Sequence, residues 1–286
     1  MQKEPPTLYR DDCMKVFPRL ANNSIDLIAT DPPYFLDGLG EEWSDVEVKR
    51  KQAKAKVIGG LPVGMKFDPE QGKRLQKFYT KVSDQAMRVL KPGGFFISFS
   101  QGRLYHRMAM AAEDAGFEVR DLLIWEHQGG QGKAFKLDHF IEKMNLTHNE
   151  GEMLIASMNG RKTPQLRPKF EAILLAQKPR QGTFLQNWKK WEVGLIKTDF
   201  SPQQTTIFDY KKSRKSFDHL TPKPVDLMER LIEVFSLPGQ TVLDPFMGSG
   251  TTGVAALKAK RKFVGCEIEQ RYYDFSAERM GVHGKA

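Results

Sequence analysis

The chain has 286 residues, 40% hydrophobic and 28% charged, long enough to bury one large core or a core with a sizeable insertion. No apolar run reaches membrane-spanning length, and the opening Met1-Gln2-Lys3-Glu4-Pro5-Pro6 lacks the apolar core of a signal peptide. Two distant cysteines, Cys13 and Cys266, and six histidines without paired spacing argue against a disulfide frame or a metal site and for reduced thiols in the cytoplasm, while a net charge of +9 favours a polyanionic partner.

In chain order, Ser24-Ile25-Asp26-Leu27-Ile28-Ala29-Thr30 is a β-branched, apolar run that predicts a buried strand. Asp31-Pro32-Pro33-Tyr34 follows it. The irregular stretch 35–67 then reads as a mobile loop and carries the basic run Lys49-Arg50-Lys51. Leu75, Phe78, Val82, Val89 and Leu90 approximate a helical stripe that stops at Lys91-Pro92-Gly93-Gly94. A strand is expected over Phe95–Ser100, a helix through Leu104, Met108, Ala111, Ala112 and Ala115 up to Gly116, and a strand over Val119–Trp125. This alternation predicts an α/β fold with a mostly parallel sheet and helices on both faces.

The rhythm weakens over 128–216, which reads as an inserted recognition region interrupted by one core strand at 172–178. Two basic runs lie in it, Trp188-Lys189-Lys190-Trp191 and Lys211-Lys212-Ser213-Arg214-Lys215. Charge runs are usually solvated faces. These suit a phosphate-backbone track if they border the functional edge, although Trp188 and Trp191 read more readily as core aromatics than as DNA contacts. The rhythm resumes with a helix over Pro224–Ser236, a strand at Thr241–Leu243, a helix over Thr251–Lys260 and a strand at Lys262–Cys266.

Two constellations carry chemistry. Asp31 ends a buried strand, where open α/β sheets bind ligands. Pro32 and Pro33 stiffen the backbone and remove two donors, which leaves a wall of acceptors: the Asp31 carboxylate and the Pro32 carbonyl. Tyr34 adds a flat π-face beside them. Such a wall suits a planar amine with two hydrogens, stacked on a ring. In the second, Asp244-Pro245-Phe246-Met247-Gly248-Ser249-Gly250-Thr251-Thr252 joins a strand to a helix whose N-terminus favours an anion. Glu267 ends the next strand, a usual place for a ribose-binding acid. This points to a nucleoside-containing cofactor without choosing between a dinucleotide and S-adenosylmethionine.

Together, Asp31-Pro32-Pro33-Tyr34 and Asp244-Pro245-Phe246-Met247-Gly248-Ser249-Gly250 resemble the DNA amino-methyltransferases, and their order resembles the permuted β group. Asp11-Asp12-Cys13, Leu90-Lys91-Pro92-Gly93-Gly94 and His219-Leu220-Thr221-Pro222-Lys223-Pro224 resemble further segments of that family in the right order. The resemblance implies a Rossmann-like S-adenosylmethionine-dependent methyltransferase fold, a twisted and mostly parallel sheet with one antiparallel strand and circularly permuted motifs. It implies a catalytic set of Asp31, Pro32, Pro33 and Tyr34. It also implies a cofactor set: Asp12 and the Cys13 backbone at the adenine, Thr221 and Lys223 at the methionine carboxylate, Glu267 at the ribose, and Asp31, Asp244, Phe246, Gly248, Ser249, Gly250 and Thr251 around them. Asp244 reads first as the organiser of its loop.

The implied reaction is site-specific methylation of adenine N6 in double-stranded DNA, on a base flipped out of the stack. Phe35, Lys49, Arg50, Lys51, Trp188, Lys189, Lys190, Lys211, Lys212 and Arg214 are the candidate DNA contacts. Cytosine N4 is the alternative target, and aspartate in the first motif position is implied to favour adenine over cytosine. An inactive DNA-binding homologue and a nicotinamide-dependent oxidoreductase are further alternatives. The intact motifs argue against the first, and the lack of Gly-x-Gly-x-x-Gly spacing argues against the second. No nuclease signature is visible, so a standalone enzyme is expected, with a homodimer and a separate cognate restriction endonuclease as conceivable partners.

Overall fold

The computed structural model describes residues 4–33, 69–127, 134–164, 166–212 and 223–282. The predicted loop 35–67 lies outside them, as do Tyr34, Phe35, Lys49, Arg50, Lys51, Arg214 and Thr221. The chain divides into two compact units, one of Met1–Glu126 with Phe170–Ala286 and one of His127–Lys169.

The larger unit is built on β1 (Thr7–Tyr9), β2 (Ile25–Thr30), β3 (Leu90–Ser100), β4 (Glu118–Glu126), β5 (Phe170–Gln177), β6 (Ile207–Asp209), β7 (Thr241–Asp244) and β8 (Lys262–Cys266). They form one sheet in the order β1-β8-β7-β2-β3-β5-β4-β6. All pairings are parallel except those of β5, which runs antiparallel to both β3 and β4. Every residue of β2 is buried, as expected of a central strand covered on both faces.

The helices of this unit are α1 (Cys13–Val16), α2 (Pro69–Val89), α3 (Tyr105–Asp114), α6 (Phe184–Trp191), α7 (Val225–Phe235), α8 (Thr251–Lys258) and α9 (Gln270–Arg279); α4 (Asp138–Ile141) and α5 (His148–Met158) belong to the smaller unit. One core packs Leu75, Val82 and Val89 of α2 and Met108 of α3 against Ile28, Phe96 and Leu174. The other packs Leu227, Leu231 and Phe235 of α7 and Ala255 and Ala256 of α8 against Leu27, Ile97 and Val242. Alternate residues of β2 thus serve opposite faces, as the period of two demands.

β3 begins at Leu90, earlier than the predicted Phe95. Leu90 pairs with Ile25 before a register shift, and Lys91 Nζ reaches back to the Asp26 carboxylate at 2.6 Å. Gly94 is pressed between the Lys91 and Asp26 carbonyls, so the Lys-Pro-Gly-Gly turn is a tight seam between two strands. The three-residue strands β1 and β6 are too short for a periodic signal, and the sequence reading did not anticipate them.

The smaller unit holds α4 (Asp138–Ile141) and α5 (His148–Met158). Thr147 and Glu150 form a reciprocal cap at the start of α5, and Asn159 closes it in the left-handed region. Among the described residues, no helix is long and apolar enough to cross a membrane.

Candidate active site

β2 leads through α2 to β3 on one side, and β7 leads through α8 to β8 on the other. The crevice beyond the carboxyl ends of β2 and β7 is therefore a topological switch point, where open α/β sheets bind ligands. Asp31 follows β2 there and Asp244 ends β7. The Thr30 hydroxyl donates to Asp244 Oδ1 at 2.7 Å, which ties the two strand ends together.

Asp31 Oδ2 accepts a hydrogen bond from Lys223 Nζ. Lys223 stands just before α7, with its side chain only 8% exposed, and its ammonium also meets Glu171 Oε2 at 3.2 Å. The other oxygen of Glu171 lies 3.6 Å from Lys212 Nζ. Burial alone would lower the Lys223 pKa, but the Asp31 and Glu171 carboxylates outweigh it and hold the pKa above the ordinary lysine value. The Phe99 ring lies 5.0 Å from the same ammonium.

Asp244 is 2% exposed and accepts from Phe246 N at 3.0 Å as well as from Thr30. Burial raises its pKa to about 6, against the lowering effect of these hydrogen bonds. Gly248 (φ 51°) and Gly250 (φ 77°) turn the loop through the left-handed region. Glu267 accepts from Gly248 N and Glu269 N, both at 2.8 Å, and so pins the loop to the end of β8. Its pKa is raised, chiefly by burial. Arg279 of α9 donates to the Ser249 carbonyl at 2.6 Å, and Phe246 packs on Phe78 of α2 with ring centroids 5.9 Å apart. Tyr9 of β1 pairs beside Cys266, which brings Asp12 and Cys13 to the same edge as Glu267. Asp12 caps α1 by accepting from Met14 N at 2.9 Å. Burial raises the pKa of both thiols, that of Cys266 to about 12.

A family model described as DNA methylase, the N6 and N4 methyltransferases, matches residues 25–278. The chain belongs to that DNA methylase family. It is 29% identical to the type II methyltransferase M.HindIII of Haemophilus influenzae, over 96% of this chain and 95% of that one. It is 27% identical to the type II methyltransferase M2.DpnII of Streptococcus pneumoniae, over 97% and 90%. Among solved structures it shares its fold with the putative DNA modification methylase TTHA0409 of Thermus thermophilus (TM-score 0.60, 23% identity, 96% of this chain and 94% of that one). It also shares the fold of the cytosine-N4-specific PvuII DNA methyltransferase (TM-score 0.62, 17% identity, 97% and 87%).

This methylase uses S-adenosylmethionine, and the residues at the switch point fit that molecule. The left-handed glycine loop leads into the N-terminus of α8, a setting for a carboxylate. Glu267, Asp12 and Phe246 line the neighbouring strand ends, as expected for a nucleoside.

The structure therefore gathers Asp12, Cys13, Asp31, Pro32, Pro33, Lys223, Asp244, Phe246, Gly248, Ser249, Gly250, Thr251 and Glu267 along one sheet edge. Lys211 and Lys212 follow β6, which is parallel to β4, and reach this edge too. Trp188, Lys189 and Lys190 do not. Their helix α6 sits at the opposite edge, where Asn187 donates to the Pro92 carbonyl at the start of β3. The reason is the direction of β5: an antiparallel strand delivers the following chain to the amino ends of its neighbours.

Among the described residues, Glu171 and Trp125 at the functional edge escaped the sequence reading. Glu171 is the only charge in β5, a strand of apolar residues that ends in Gln177, a signal that could have marked it. Trp125, whose indole donates to the Tyr210 carbonyl at 2.8 Å, was read as plain strand; its ring lies under Lys212.

Proposed function

We propose that this DNA methylase transfers a methyl group to N6 of a flipped-out adenine at a specific site in double-stranded DNA. The observation that carries the reading is the position of Asp31, at the end of β2 and one hydrogen bond removed from the Asp244 loop through Thr30. When bound, S-adenosylmethionine supplies a methyl group on a positively charged sulfur. The amino lone pair of adenine is delocalised into its ring and is a poor nucleophile. Asp31 and the Pro32 carbonyl accept the two amino hydrogens, which draws the nitrogen toward tetrahedral geometry and localises its lone pair. The gain comes from positioning and preorganised acceptors, with no covalent link to the enzyme. Asp244 and Glu267 hold the glycine loop, beside which the cofactor would bind, and Glu267 would accept from its ribose hydroxyls.

Aspartate in the first motif position supports adenine over cytosine. The fold is shared with a cytosine-N4-specific enzyme, so it does not separate the two bases. Residues 127–169 form a unit of their own inside the predicted insertion, which supports a role in target recognition. Lys211 and Lys212 are in line to meet phosphates.

The test is to incubate the protein with labelled S-adenosylmethionine and mixed-sequence duplex DNA, digest the product and identify the modified nucleoside. N6-methyladenine made by the parent chain, with at least about a hundredfold less made by Asp31→Ala, is the expected outcome. N4-methylcytosine would keep the mechanism and overturn the base.

A further inference from the structure

We propose that Glu171 is a positioning residue for methyl transfer, acting through Lys223 on Asp31. The inference rests on Asp31 as the amino-group acceptor. Lys223 Nζ lies between two carboxylates, bonded to Asp31 Oδ2 and 3.2 Å from Glu171 Oε2. Both carboxylates are less than one-third exposed, and the ammonium is nearly buried, so water screens these charges weakly. An ammonium with one carboxylate partner would commit its charge to Asp31 and compete with the incoming amino group for the same acceptor. With Glu171 as a second partner the charge is shared, and the ammonium orients Asp31 with a weaker hold on it.

The backbone makes this arrangement firm. Glu171 opposes Trp125 across the β4–β5 ladder, one residue from Ala172, which pairs with Ser100 at the end of β3. Its carboxylate is thus anchored on the same sheet edge as Asp31, two strands away. Lys212 approaches its second oxygen from the end of β6. A strand that buries every residue from Ala172 to Gln177 places this carboxylate at its mouth, where it meets the only lysine that touches Asp31 among the described residues.

The experiment compares the parent, Glu171→Gln, Glu171→Asp and Asp31→Asn in steady-state methylation of duplex DNA, with melting temperatures recorded for each. Glu171→Gln should lower kcat about tenfold, the scale of one charge-assisted hydrogen bond, with KM for S-adenosylmethionine and for DNA within about twofold of the parent. Glu171→Asp, which keeps the charge, should recover most of that loss. A parent-like kcat in Glu171→Gln, or a rise in KM at constant kcat, would overturn the positioning role. If Glu171→Gln melts early, all variants are compared well below its transition: a kcat loss at unchanged KM that Glu171→Asp restores supports the proposal, and an equal loss in both variants overturns it. Asp31→Asn separates the two readings. Methylation surviving in that variant removes Asp31 from the chemistry, whereas its loss beside an unaffected Glu171→Gln removes Glu171 alone.

Discussion

Asp244 shows how one residue can belong to the site without being its reactive group. Its carboxylate is buried, and donors that include the Thr30 hydroxyl and Phe246 N orient it. The unfolded chain should titrate it near 3.8, while burial raises the folded value to about 6. A raised carboxylate pKa favours the folded state while the group is protonated. That contribution is complete below about pH 4 and is lost as pH rises through 6. Asparagine stays neutral throughout, so the stability of Asp244→Asn relative to the parent should grow between pH 4 and 7 by on the order of 3 kcal/mol. Thermal melts of both proteins across that range check it, and a constant gap would contradict the buried, ionisable state. The motif made Asp244 visible in the sequence. Its link to Thr30, 214 positions earlier, depends on β2 and β7 lying side by side.

At the scale of elements, the glycine loop works because α8, β8 and α9 lock together behind it. A Cβ at Gly253 would collide with Met280 Sδ and would lie 2.7 Å from the buried Phe263 ring. Met280 can swing away, but Phe263 is wedged in the core. Gly253→Ala should therefore cost about 1–3 kcal/mol, despite alanine's better helix propensity, and melting temperature measures it. The helices read from apolar stripes were legible for the reason that stripes exist: Leu75, Val82 and Val89 recur on one face and reach one core. The ends were less legible. The helix expected over Thr251–Lys260 stops at Lys258, because Lys260 turns to φ 64° and the Arg261 N–H closes back on the Ala256 carbonyl.

At the scale of the molecule, charge has a direction that composition does not state. The run at Lys189 and Lys190 and the run at Lys211 and Lys212 look alike in sequence, yet they lie at opposite ends of the strands. Substitution of Lys189 and Lys190 by glutamate should leave KM for duplex DNA and its salt dependence within about twofold of the parent. Lys211→Gln should weaken DNA binding and reduce the slope of log affinity against log salt by about one unit. Binding titrations at several salt concentrations test both. An equal effect of the two changes would mean that DNA wraps around the far edge as well.

Much of the candidate site is local in origin, which is why the sequence alone pointed to it. A strand, a sharp turn and the residues that stop it are adjacent in the chain, so Asp31-Pro32-Pro33 and the Asp244–Thr251 loop were legible as strand-end turns with candidate chemistry. The alternation of strands and helices likewise determined a mostly parallel sheet with both faces covered. The rest depended on distance. Only strand order brings Asp31 and Asp244 to one crevice, and only the reversed direction of β5 sends Trp188–Trp191 away from it. Lys223 and Glu171 are 52 positions apart, and nothing in either neighbourhood announces the other; the sheet and the start of α7 make them partners. Sequence periodicity reports which face a residue serves, whereas long-range pairing is a property of the whole packed chain.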